Sequence, residues 1–178
     1  MVYLLKHHRT ADHGLYRTSR DGVKQVRGFL DDYATTAQAL LELHRTTEDQ
    51  RWLTEAHEVA RQMLRRFSSP FGALYFTDAG ADEVLVRQIV ATDSPLPSGN
   101  AVAALVLMEL GNVEAAEGII RAFADQLNRQ GEAFSSLVQA AMLCVARRGA
   151  LEVPAGKPAG QMGALAHSPA EVVRARAK

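Results

Sequence analysis

Residues 52–67 read Trp-Leu-Thr-Glu-Ala-His-Glu-Val-Ala-Arg-Gln-Met-Leu-Arg-Arg-Phe, and this stretch decides the fold. Its apolar members Trp52, Ala56, Val59, Ala60, Met63, Leu64 and Phe67 fall at i, i+4, i+7, i+8, i+11, i+12 and i+15, which is one stripe of an α-helix with charged residues on the other side. Upstream, Asp31–Thr47 predicts a second helix, with Ala34, Ala37, Leu40, Leu41 and His44 at helical spacing and acidic residues in the first turn, where they suit the macrodipole. Only Thr47-Glu48-Asp49 lies between the two patterns, a connection short enough to make them an antiparallel hairpin.

Downstream, Ser68-Ser69-Pro70 stops the helix, and Gly72-Ala73-Leu74-Tyr75-Phe76-Thr77 reads as a short extended segment, giving β character near 72–78. Asp82–Val90 reads as a further short strand, and Asp93–Gly99 as a turn-rich approach to a helix that starts near Ser98. Ala101–Leu110 is apolar nearly all round, the mark of a helix buried on several sides. Gly111-Asn112 breaks it. Val113–Arg129 then predicts one amphipathic helix through Ala116, Ile119, Ile120, Phe123 and Leu127. Phe134, Leu137, Val138, Ala141, Met142 and Val145 predict a last helix, ending at Arg147-Arg148-Gly149 with glycine as its cap. Residues 1–150 are thus expected to form one all-α domain of antiparallel helical hairpins. Residues 151–178, rich in Ala, Pro and Gly without a sustained period, are expected to be a disordered tail.

Composition narrows the function classes. Hydrophobic residues make up 47% and charged residues 22% of 178, the balance of a soluble globular chain. Twenty basic and twenty acidic residues cancel, which argues against a nucleic-acid partner. The longest apolar run, Ala101–Met108, is too short for the ~20 residues that span a bilayer, so no membrane role is expected. No small-residue cleavage site ends an apolar run near Met1, and the expected location is the cytoplasm. The single cysteine, Cys144, has no partner for a disulfide or thiolate cage and is expected in the core. His44 and His57 stand on successive helices without a ligand spacing, and the adjacent His7 and His8 would point to different helix faces; neither metal nor cofactor is expected.

Two stretches, Gly28-Phe29-Leu30-Asp31-Asp32-Tyr33-Ala34 and Asp93-Ser94-Pro95-Leu96-Pro97-Ser98-Gly99-Asn100-Ala101, resemble signature segments of the spermatogenesis-associated, thioredoxin-domain-containing protein family. Arg51-Trp52-Leu53, the helix to Phe67 and Gly72–Thr77 are similar to that family's order of elements, so the resemblance spans roughly Leu15 to Arg148. It implies part of an (α/α)6 barrel of the six-hairpin glycosidase type. Only the later hairpins are matched, without a CxxC segment or early barrel helices, which implies a fragment of such a protein. Losing neighbouring hairpins would expose apolar helix faces, and self-association or pairing with a missing barrel half is the expected consequence.

Three carboxylates are the candidate catalytic residues: Asp31, Asp32 and Asp93. Paired carboxylates serve as general acid, general base or acceptors for sugar hydroxyls, whereas at a helix start the same residues satisfy free N–H groups. Tyr33, Ser98, Gly99 and Asn100 are the candidate ligand-binding residues, since the mouth of a buried helix offers polar groups and N–H donors; Ser98 can equally cap, and Gly99 permit close packing. Arg87 is expected to pair with Asp93, and Tyr33, Trp52, Tyr75 and Phe76 could either form a sugar-stacking wall or pack. Two functions follow, a saccharide-binding or saccharide-processing barrel portion and a non-catalytic helical scaffold that binds another chain.

Overall fold

The computed structural model describes residues 1–80 and 85–152. In chain order they form α1 (Val2–His7), β1 (Tyr16–Arg20), β2 (Val23–Arg27), α2 (Leu30–Thr47), α3 (Gln50–Phe67), α4 (Gly99–Glu109), α5 (Val113–Ala122), α6 (Ala124–Gln130), a 3-10 turn (Gly131–Phe134) and α7 (Ser135–Glu152).

The α2–α3 hairpin stands as its sequence predicts. Its two-residue connection is closed by Glu48 in the left-handed region, φ 57°, and the Asp49 side chain caps α3 by accepting from the Arg51 N–H. The stripe Trp52, Ala56, Val59, Ala60, Met63 and Phe67 is buried, facing Ala34, Ala37, Leu40 and Leu41 of α2. Helix α4 contacts α2, α3, α5 and α7, which is why its side chains are apolar on every face. Ser98 caps it, its hydroxyl accepting from the Ala101 N–H at 3.3 Å.

The expectation of an all-α chain is corrected by the antiparallel hairpin of β1 and β2. Tyr16 pairs with Arg27, Thr18 with Gln25, Ser19 with Lys24 and Arg20 with Val23. Asp21 and Gly22 close it with φ of 51° and 80°, the backbone that a two-residue turn matched to strand twist requires. Apart from Tyr16, its strand residues are exposed. Val26 also has a positive φ, 56°, and interrupts the ladder opposite Arg17.

Four further expectations change. The extended segment at 72–78 reduces to one isolated bridge, Ser68 with Leu74, because Gly72 at φ 88° turns the chain onto the backbone of Gly118. Residues 85–90 form no strand, and 82–84 of that expected strand lie outside the described residues. The single helix predicted over Val113–Arg129 is divided at Phe123, whose φ −111° and ψ 14° leave the helical region and whose side chain is buried. Gly149 does not end α7, which continues through it to Glu152. The tail expected over 151–178 lies outside the described residues from 153 onward.

Among the described residues no helix is long and apolar enough to cross a membrane. Cys144 is buried, its thiol directed at Glu117 Oε1 at 3.6 Å. Burial raises its pKa, with the Glu117 charge adding to the effect, which keeps it a protonated core residue.

Candidate functional site

The N-termini of α2 and α4 meet. An added Cβ on Gly99 would lie 2.2 Å from Asp31 Oδ1 and 2.9 Å from Leu30 Cγ, so only glycine admits this approach. Gly99→Ala should push Asp31 aside and cost about 1–3 kcal/mol, as overpacking does; denaturant unfolding measures it, and an unchanged midpoint would contradict the contact.

Adjacent in sequence, the two aspartates have different surroundings. Asp32, the third helical residue, bends back so that Oδ2 accepts the Phe29 N–H at 2.8 Å and the Arg17 guanidinium at 3.0 Å. Asp31 faces α4 and is half-buried. Burial raises its pKa above the usual carboxylate value and the neighbouring Asp32 charge raises it further, while Arg17 and the Gly99 N–H offset part of this. A raised folded-state pKa means that the native chain holds this proton more tightly than the unfolded chain. Stability contributed by the protonated group is therefore lost as pH rises from the unfolded value through the folded one. Asp31→Asn should accordingly gain stability relative to the parent between pH 3 and pH 7, checked by urea unfolding at both; a difference that does not change with pH would contradict the burial of this charge.

Asp93 uses both oxygens on backbone amides, Ser98 N–H at 3.0 Å and Ser136 N–H at 2.8 Å, tying the approach loop of α4 to α7. Asp31 and Asp93 therefore both lie at the start of α4, one at Gly99 and the other at Ser98. Asn100 is fully buried: Oδ1 accepts the Leu74 N–H at 2.8 Å, and Nδ2 donates to the carbonyls of Leu74 at 2.9 Å and Val90 at 2.8 Å. Its side chain holds the loops beneath α4 together.

Tyr33 is only 1% exposed, its hydroxyl accepting the Leu15 N–H at 2.7 Å and its ring edge-on to Phe67 at 5.0 Å. Trp52 is also in the core, so two members of the aromatic wall face away from solvent. Tyr75 and Phe76 are half-buried. Arg87 is not the partner of Asp93: its guanidinium donates to the Thr77 and Arg66 carbonyls and lies 4.0 Å over the Tyr75 ring. Its sequence position near Asp93 gave no information about where the chain carries it.

Sequence reasoning passed over Phe29 and Arg17. The half-buried Phe29 ring packs against Phe76 at 4.9 Å, tilted by 41°, and Arg17 lies 4.9 Å over its face. The Leu30 N–H donates to the Phe76 carbonyl at 3.0 Å, fixing this pair beside Asp31 and Asp32. The position of Phe29, just before an acidic helix start, was the available signal. The result is a half-buried aromatic pair, one ring covered by Arg17, next to a carboxyl whose pKa burial raises, an arrangement able to exchange hydrogen bonds with hydroxyls.

No protein-family model, curated protein or solved structure matches this chain. Clefts among the described residues lie elsewhere. One of about 530 Å³ lies at the α5–α6 bend, lined by Arg121, Asp125, Gln126 and Arg129, and one of about 190 Å³ lies between His57, Arg61, Leu64, Leu107 and Leu110. Neither contains a residue of the α2–α4 junction. Among the described residues no group of three or more His, Cys, Asp or Glu is placed to hold a metal ion.

Proposed function

We propose that this chain binds a saccharide at the α2–α4 junction, as part of a cytoplasmic α/α protein of the six-hairpin type related to the thioredoxin-domain-containing family. The observation that carries the reading is Asp31, half-buried with a raised pKa beside the Phe29–Phe76 pair. A raised pKa favours the protonated form, in which Asp31 donates to a glycosidic or hydroxyl oxygen, while Asp32, held by Arg17, accepts from a hydroxyl. Ser98 and Asn100 support the helix mouth, and Asp93 keeps the loop between them and α7 in place. Isothermal titration with neutral and charged oligosaccharides tests this. Binding that weakens in Phe29→Ala and Asp31→Asn, with circular dichroism unchanged, supports it; the absence of binding to every oligosaccharide class overturns it.

A second reading, a non-catalytic scaffold, is favoured by α7, where Met142, Leu143 and Val145 are 57%, 45% and 36% exposed. An apolar face of this kind is suited to covering by another chain, whether a second copy or further barrel hairpins. Light scattering on the parent and on Met142→Lys separates the two: a dimer that the substitution dissociates favours the scaffold.

A further inference from the structure

The β1–β2 ribbon stands outside the helical body. Its strand residues are exposed apart from Tyr16, and neither strand packs along a helix. A two-stranded ribbon is marginal by itself, and this one is held at its base. The Gly28 N–H donates to the Leu15 carbonyl at 2.7 Å, the Tyr16 N–H to the His8 carbonyl at 2.7 Å, and Arg27 bonds Asp12 at 3.2 Å. Farther out, the Ser19 hydroxyl meets His8 Nε2 at 3.0 Å, just past α1, a helix that itself buries no residue. Among the described residues Arg17 makes the only polar bond from the ribbon to α2, to Asp32 Oδ2 at 3.0 Å, with its guanidinium 4.9 Å over the Phe29 ring.

That tie is weak and sits at a break. The Arg17 and Asp32 side chains are 42% and 28% exposed, and ion pairs and cation–π contacts this close to solvent each contribute little. Opposite Arg17 in the register stands Val26, whose φ of 56° is a conformation that a β-branched residue rarely adopts, and the pair 17–26 is missing from the ladder between Tyr16–Arg27 and Thr18–Gln25. The ribbon is thus interrupted where its one link to α2 leaves it. The link covers a ring face of the candidate site but does not bond Asp31.

We propose that the ribbon is an autoinhibitory arm: Arg17 latches it over Phe29, and a sugar ring stacks on Phe29 only when the arm lifts at the Val26 break. This rests on the saccharide reading of the α2–α4 junction and adds its regulation. Sugar and guanidinium compete for one aromatic face, so the apparent affinity is the intrinsic one reduced by the fraction of chains whose arm is open. Salt screens an exposed ion pair and loosens the latch. A neutral sugar, which salt would otherwise leave alone, therefore binds more tightly as salt rises.

The test titrates the full chain with neutral gluco-oligosaccharides of α and β linkage, at low and high salt. Arg17→Ala is expected to bind about fivefold to tenfold more tightly than the parent and to lose the parent's gain with salt. The tightening should persist in an Asp31→Asn background, where no proton remains at position 31 for the lost Arg17 charge to shift, and should vanish in a Phe29→Ala background, where the contested face is gone. Without sugar, amide hydrogen exchange should quicken along the ribbon in Arg17→Ala and stay unchanged in α2. Equal or weaker binding in Arg17→Ala would overturn the arm and leave the junction standing. A tightening that disappears with Asp31→Asn would make Arg17 an electrostatic influence on that carboxyl, and one that survives Phe29→Ala would deny the competition; either overturns the arm. Faster exchange in α2 as well would make the ribbon a part of the fold rather than an arm. No binding of any sugar by parent or variant would sink the arm and the junction together.

Discussion

Arg66→Ala is expected to destabilise the chain by about 3–5 kcal/mol, the cost of leaving a buried charge without its partner. Arg66 is 9% exposed. Its Nη1 bonds Asp78 Oδ2 at 2.9 Å, and its Nη2 reaches the Asp12 carbonyl at 2.8 Å and Oδ2 at 3.0 Å. Asp78 is equally enclosed, and after the substitution Arg27, at 3.7 Å, and the Gly80 N–H would be its remaining partners among the described residues. The arginine also fastens the loop before β1 to α3, since Asp12 lies in that loop. Asp12 has a strongly lowered pKa, from the Thr10 hydroxyl first and then Arg66 and Arg27, so its contribution to stability is present above the ordinary aspartate value and is lost as pH falls. Urea unfolding near neutral pH measures the main effect. An apolar pair, Arg66→Met with Asp78→Leu, should recover much of the loss, because it removes both charges together. A loss below ~1 kcal/mol in Arg66→Ala would mean that the network does not form.

Asn100→Leu is the second large effect, on the order of 3–5 kcal/mol. The replacement is similar in size but strands the Leu74 N–H and the carbonyls of Leu74 and Val90, and each unsatisfied buried group costs ~1–3 kcal/mol. Because Leu74 leads directly to Tyr75 and Phe76, the loosening should reach the aromatic pair of the candidate site. Hydrogen exchange at the Leu74 amide gives a local readout beside the global unfolding midpoint. Unchanged protection there would contradict the assigned bonds.

What the sequence made legible was the helical layer, because burial writes itself into period. Trp52 to Phe67 carries one apolar stripe, and α4 lacks a polar face since four helices surround it. The β1–β2 hairpin escaped because Arg17–Arg20 and Val23–Arg27 bury almost nothing and so have no inward-facing alternation; Asp21-Gly22 was its one local sign. The break at Phe123 escaped for the opposite reason, since Ile119, Ile120, Phe123 and Leu127 are all buried and the apolar spacing runs on through the bend.

At the candidate site, Asp31 and Asp32 could be picked out as an acidic helix start, but not told apart. Adjacent helical residues diverge by about 100°, so one carboxylate turns back to Phe29 and Arg17 while the other meets α4. That second contact joins residues 31 and 99, a tertiary pairing that local pattern does not encode. The same holds for Arg87, which the chain carries to Tyr75 and Thr77. Tyr33 illustrates the limit of residue type: its hydroxyl suggested a ligand, yet the Leu15 amide occupies it in the core.

The most direct test of the account is an amide chemical-shift map of the chain titrated with neutral and charged oligosaccharides. The account predicts shifts concentrated on Phe29 to Asp32, Phe76 and Ser98 to Gly99. No shifts with any sugar, or shifts confined to the cleft at the α5–α6 bend, would contradict a saccharide site at the meeting of α2 and α4.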